Sequence, residues 1–234
     1  MTAQTKKFTP VSLVANLILT SLFFPVFILL LAGSWRWVEG WIIALWIVAM
    51  IVFNMLYLYF KDPALLGERT KAPASGDQKA WDKVLMIFIL LSVVLWLVML
   101  PLDARRFHWS PAFPLWLKIL GGVALIPAWV LIERATMDNT FLSTRVRIQE
   151  ERKQQVITTG VYGFVRHPLY LGCTLMMLGA PLLAGSVISL VIALVGMVTI
   201  VGRILGEEKM MLEELEGYAE YKQKVKYRLI PWVW

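Results

Sequence analysis

At 234 residues, 59% of them apolar and only 17% charged, with a mean hydropathy of +0.67, the chain is more apolar than soluble domains, which run to roughly 45–50% apolar and about 25% charged. It is too short for separate catalytic and anchoring modules, and it reads as one integral membrane domain. The formal charge of +7 does not indicate nucleic acid, because the basic residues gather beside apolar runs and form no continuous stripe; juxtamembrane anchoring accounts for them.

The N-terminal MTAQTKKF precedes an apolar run too long for the core of a cleaved signal, with no small-residue cleavage site, so the first span is expected to stay. Four runs, at residues 11–32, 41–60, 84–102 and 115–132, approach the roughly 20 residues needed to cross a bilayer as a helix. A fifth apolar region covers 168–205 and is interrupted at Ala184-Gly185-Ser186. It is too long for one span and reads as a tight helical hairpin. The predicted fold is therefore all-α, with six transmembrane helices, or five if the hairpin only dips into the membrane. A polar cytoplasmic loop and a C-terminal amphipathic helix complete it.

Charge placement orients this layout. With the N-terminus inside, nearly all lysines and arginines fall on inside segments, and the outside keeps only Arg36, Arg105 and Arg106, with Lys118 near a helix end. That skew predicts both termini in the cytoplasm, at the cell membrane if the source is bacterial. The eleven tryptophans suit membrane interfaces. Outside loops are short, whereas 61–83 and 134–166 are long and polar, so aqueous chemistry is expected on their side. Residues 141–148 alternate apolar and polar and fit either a small β-hairpin or an extended lid. Beyond the last span, Met211, Leu212, Leu215, Tyr218, Tyr221 and Val225 recur at helical spacing through 207–225, ending before Pro231.

Several catalytic signatures are absent, including nucleotide-binding glycine motifs, H-E-x-x-H and G-x-S-x-G. The two histidines, His108 and His167, fall on opposite sides of the predicted membrane, and Cys173 is the only cysteine. No metal site is expected. What remains is Arg166-His167-Pro168-Leu169-Tyr170 at the entrance of the hairpin and Arg203-x-x-x-Glu207-Glu208 at its exit. Pro168 fits the first turn of a helix, Arg166 fits a snorkelling anchor, and Arg203 with Glu207 fits an ordinary i, i+4 pair. The density of ionisable groups at two neighbouring helix ends equally fits a site for a zwitterionic ligand.

Gly160-Val-Tyr162, Arg166-His-Pro-Leu-Tyr170-Leu-Gly172, Arg203-x-x-x-Glu207-Glu208 and Tyr218-x-x-Tyr221-x-x-x-Val225 resemble the isoprenylcysteine carboxyl methyltransferase family, whose wider superfamily includes membrane phospholipid N-methyltransferases. The resemblance covers residues 146–231 and divides the chain into N-terminal spans (1–135) and a cofactor-binding core (136–234). It implies S-adenosylmethionine as cofactor, held by Gln154, Gln155, Val156, Ile157, Tyr162, His167, Pro168, Leu169, Tyr170 and Glu207. By the same resemblance Arg203 orients the acceptor, with Arg203 and Glu207 as catalytic residues. Many relatives carry histidine where Gln154 stands, a departure from the pattern. The implied reaction is carboxyl methylation of an isoprenylcysteine-like substrate drawn from the bilayer. Methylation of an amine, thiol or phospholipid head group is the alternative within the superfamily, and a transporter or membrane scaffold is the non-enzymatic one.

Overall fold

A computed structural model describes residues 9–70 and 78–234. Among them every regular element is helical and no strand occurs. Helix α1 (Pro10–Ala32) starts at Thr9, whose hydroxyl accepts from Ser12 N, and stops at Gly33 in the left-handed region (φ 65°). A tight turn leads to α2 (Val38–Lys61), and Asp62 then caps α3 (Pro63–Arg69) by accepting from Leu65 N at 2.9 Å. Helix α4 (Ala80–Pro101) continues into a π-turn, Leu102–Phe107, and α5 covers Leu115–Asp138. The predicted hairpin is α6 (Pro168–Ala184) and α7 (Val187–Glu214), joined through Gly185 at φ 85° and Ser186.

Helices α1, α2, α4 with its π-turn, α5 and α7 are long and apolar enough to cross a membrane, and their outward faces expose Leu19, Leu22, Ile87, Leu90, Ile126, Val195 and Val198. The protein is a multi-pass integral membrane protein. At 17 residues, α6 spans about 25 Å, short of a hydrocarbon layer of about 30 Å.

The closest packing is between α5 and α6. A Cβ on Gly121 would lie 2.4 Å from Leu183 N and 2.6 Å from Gly179 O, so the two backbones touch where only glycine fits. Helix α4 lies along α7, and Trp96 donates from Nε1 to Met177 O at 3.0 Å, binding α4 to α6. At the end of the bundle away from α3, buried Asp103 accepts from the hydroxyls of Ser110 (2.7 Å) and Ser186 (2.6 Å) and from Ile188 N (3.1 Å). This fastens the hairpin turn to the π-turn.

Two segments take forms that periodicity left open or misplaced. Residues 139–149 are irregular, with a turn at Thr140-Phe141 and a bend at Thr144-Arg145, and form no hairpin; 3₁₀ turns follow at Glu150–Arg152 and Gly160–Gly163. The predicted helix at 207–225 is divided: α7 runs on to Glu214, and α8 (Tyr218–Lys224) follows Gly217 at φ 81°. Tyr218, Tyr221 and Val225 nevertheless share one apolar cluster with Met211, Leu215 and Val156. That face packs on the loop, so it roofs the core of the protein rather than merely anchoring it.

Candidate active site

The approach to α6 is held straight by the C-terminal segment. Arg166 N donates to Tyr227 O at 3.0 Å and His167 N to Arg228 O at 2.9 Å, and Pro168 then opens the helix with no N–H to satisfy. Arg166 is not a snorkelling anchor. Its Nε donates to Glu208 Oε1 at 2.6 Å and its Nη1 to the carbonyls of Val225 (2.6 Å) and Lys226 (2.8 Å), while Arg228 Nε donates to Glu208 Oε2 at 2.9 Å. Arg166, Glu208 and Arg228 thus clamp α6, α7 and the C-terminal segment together behind the site.

In front of the clamp, His167 lies between two carboxylates, with Nδ1 3.6 Å from Glu207 Oε2 and Nε2 3.4 Å from Glu208 Oε1. Tyr170 Oη donates to Glu207 Oε1 at 2.6 Å. Arg203 has a partner that helical spacing does not reveal. Its Nε lies 2.9 Å from Asp82 Oδ1, off the line of a good hydrogen bond, against 3.7 Å to Glu207 Oε1. Its Nη2 donates to Thr144 O at 2.7 Å. Asp82 is fully buried in the first turn of α4, and its second oxygen accepts from Val146 N (2.9 Å) and Gln78 Nε2 (2.7 Å). One carboxylate therefore gathers α4, the loop and α7 around the Arg203 guanidinium.

These groups border a cavity of about 350 Å³, within the size range of small-molecule sites. Every residue assigned by resemblance lines it: Gln154, Gln155, Val156, Ile157, Tyr162, His167, Pro168, Leu169, Tyr170, Arg203 and Glu207. The Gln154 amide oxygen is already used, accepting from Gln149 N at 2.8 Å. Tyr162 is buried, and its hydroxyl donates to Ala135 O at 3.2 Å; burial pushes this phenol above its ordinary range, so it remains a neutral donor. Tyr221 braces it by donating to Tyr162 O at 2.8 Å.

The cavity wall is mixed in character. Tyrosines, Gln155, His167 and Glu207 surround its polar part, and Met86, Ile89 and Val93 of α4, Met176 and Met177 of α6 and Ile200 of α7 form an apolar slot. The α4 side of the slot, Asp82 and the cavity-lining Arg69 of α3 come from the N-terminal half, where hydropathy alone carries no site signal. On the wall the buried Tyr218 hydroxyl lacks a hydrogen-bond partner among the described residues, whereas His167 Nε2 approaches Glu208 Oε1 at 3.4 Å. A buried hydroxyl is ordinarily satisfied, and a ligand in the cavity would satisfy this one. Glu207 supplies a negative charge there, and the tyrosines and Val156, Ile157 and Leu169 supply aromatic and apolar walls. This donor set fits a cation-bearing nucleoside such as S-adenosylmethionine.

An intramembrane helical bundle with a half-polar, half-apolar cavity at one end defines the class. The architecture is similar to that of a eukaryotic intramembrane Ras methyltransferase, isoprenylcysteine carboxyl methyltransferase (ICMT), with a TM-score of 0.59 over 95% of this chain and 76% of that chain. At 20% identity this likeness concerns the fold. Residues 117–217 match the sequence model of the phospholipid methyltransferase family. No curated protein sequence matches. The family match and the shared fold support the resemblance carried by the sequence motifs, and with it a membrane methyltransferase.

Proposed function

We propose that the protein transfers a methyl group from S-adenosylmethionine to a lipophilic acceptor, by resemblance the carboxylate of an isoprenylcysteine-like compound. One observation carries this reading: a single cavity is lined by His167, Tyr170, Glu207 and Arg203 together with apolar side chains of α4, α6 and α7. A ligand entering from water and one entering from lipid would meet at Arg203. We also take the pocket end of the bundle to be cytoplasmic, because the basic residues concentrate there.

When bound, the cofactor supplies an electrophilic methyl on a sulfonium. Glu207, oriented by Tyr170, would face its positive charge, and Tyr162, His167, Leu169 and the backbone at Val156 and Ile157 would hold the nucleoside. Arg203 uses Nε on Asp82 and one N–H of Nη2 on Thr144 O. Among the described residues its Nη1 and the remaining N–H of Nη2 are left to take the two oxygens of a carboxylate end-on. A carboxylate acceptor is already ionised near neutral pH, so no base is required. The rate enhancement then comes from holding nucleophile and methyl about 3–3.5 Å apart.

Methyl transfer from labelled cofactor to N-acetyl-S-farnesylcysteine, followed in wild type and Arg203→Ala, tests the assignment. The variant is expected to lose at least about 100-fold in turnover while still binding the cofactor by calorimetry. Wild-type turnover in Arg203→Ala would remove the acceptor-holding role. The pH profile separates acceptor classes: a carboxylate gives a flat rate near neutrality, whereas an amine or thiol gives a rate that climbs through the acceptor's own pKa.

A further inference from the structure

The guanidinium groups on the cavity wall are not alike. Five arginines line it, and four have a carboxylate within 4 Å: Arg145 and Arg147 at Glu68 (3.7 and 2.9 Å), Arg166 at Glu208 (2.6 Å), and Arg203 at Asp82 (2.9 Å). Arg69 has none among the described residues. Its Nε donates to Leu142 O at 3.1 Å, Nη1 to Asn54 Oδ1 at 3.2 Å and Nη2 to Thr136 Oγ1 at 3.4 Å. All three acceptors are neutral.

The nearest balancing charge is held one residue away. Asn54 accepts from Arg69 and donates from Nδ2 to Glu133 Oε2 at 3.0 Å, so its amide stands between guanidinium and carboxylate. A cation withdrawn from water needs a partner charge to offset its lost hydration, and desolvation holds the half-buried Arg69 guanidinium below its ordinary range. A guanidinium has five N–H groups, and three are used here. One remains on each terminal nitrogen, the arrangement that grips two oxygens of an anion side by side.

We propose that Arg69 is the receptor for the anionic oxygens of a cavity ligand, a carboxylate or a phosphate, in a subsite separate from Arg203. The subsite rests on the methyltransferase reading for its choice of ligands, since the cofactor carries a carboxylate and a lipid acceptor carries a carboxylate or phosphate. Asn54 keeps the subsite open: a carboxylate in its place would pair with Arg69 directly and compete with the ligand.

The test uses full-length protein in detergent, wild type, Arg69→Gln and Asn54→Asp, with melting temperature as a check on folding. Calorimetry measures binding of S-adenosylmethionine and of its decarboxylated form. Competition in the transfer assay measures N-acetyl-S-farnesylcysteine and a lysophosphatidylethanolamine. If the anion is the cofactor's, both variants weaken S-adenosylmethionine about 10–100-fold and leave the decarboxylated form unchanged. If it is the acceptor's, cofactor binding holds and either the carboxylate-bearing or the phosphate-bearing lipid weakens by a similar factor. Unchanged binding of all four ligands in folded Arg69→Gln overturns the proposal. Should Arg69→Gln fail to fold, Asn54→Asp decides, because it leaves Arg69 in place. Failure of the methyltransferase reading would look different: wild type itself would bind neither form of the cofactor.

Discussion

Asp82 illustrates how much of the candidate site depends on residues that no motif marks. It is fully buried, touches the Arg203 guanidinium, and accepts from Val146 N in the loop above. Asp82→Asn keeps the shape and an acceptor for Val146 but removes the charge beside Arg203. Turnover on the farnesylcysteine substrate is expected to fall about 10–100-fold, mostly through the acceptor KM, with the cofactor affinity unchanged. A role confined to folding would instead lower the melting temperature and spare the split between acceptor and cofactor. Combining Asp82→Asn with Arg203→Lys should cost less than the sum of the two, as residues in direct contact do. Strict additivity would mean that Asp82 does not act through Arg203. In the sequence, Asp82 reads only as an acidic residue in a helix's first turn. Its partner is distant along the chain, and side-chain spacing reports only neighbours on one element. Asn54, Glu133 and Arg69 were hidden for the same reason. Arg203 and Glu207 were legible as a pair because their i, i+4 spacing is local, though the spacing overstated that pair: Asp82 is nearer.

At the scale of elements, hydropathy located every long helix because membrane spans need continuous apolar length. It also located the hairpin, where Gly185 takes the left-handed turn. What it could not provide was packing. The two backbones of α5 and α6 meet at Gly121 and Gly179, and Gly122 next door is only in ordinary contact, 3.7 Å from Leu183 Cδ1 for an added Cβ. Gly121→Ala forces the helices apart and is expected to destabilise by about 1–3 kcal/mol, read as a lower melting temperature in detergent. Gly122→Ala should change it little, and equal effects at both positions would contradict the close approach. The split of the 207–225 segment had a visible sign in Gly217, but apolar periodicity passes through it unbroken. The turn preserves the face: Met211 and Leu215 before it and Tyr218, Tyr221 and Val225 after it still pack together with Val156. Periodicity reported the buried face correctly and the helix incorrectly.

For the molecule as a whole, the two ends of the bundle differ in charge. One end gathers Lys61, Arg69, Arg134, Arg145, Arg147 and Arg166 near the cavity, and the other holds Arg36, Arg105, Arg106 and Lys118, the last already paired with Glu39 at 2.7 Å. By the positive-inside rule, the concentration of basic residues at the cavity end supports the proposed cytoplasmic cavity, on the side from which a charged cofactor would enter. The proposal of six crossings, the five long helices plus α6, puts both termini on that same side. A Cys173→Ser background carrying single cysteines at Thr9, Trp109 or Lys224 tests both points with a membrane-impermeant maleimide on sealed right-side-out and inverted vesicles. Lys224→Cys and Thr9→Cys are expected to label in inverted vesicles only, and Trp109→Cys in right-side-out vesicles only. Labelling of Thr9→Cys and Lys224→Cys from opposite sides would mean that an odd number of helices cross. Labelling of Lys224→Cys from outside would put the cavity on the wrong side for a cytoplasmic cofactor, whatever its lining.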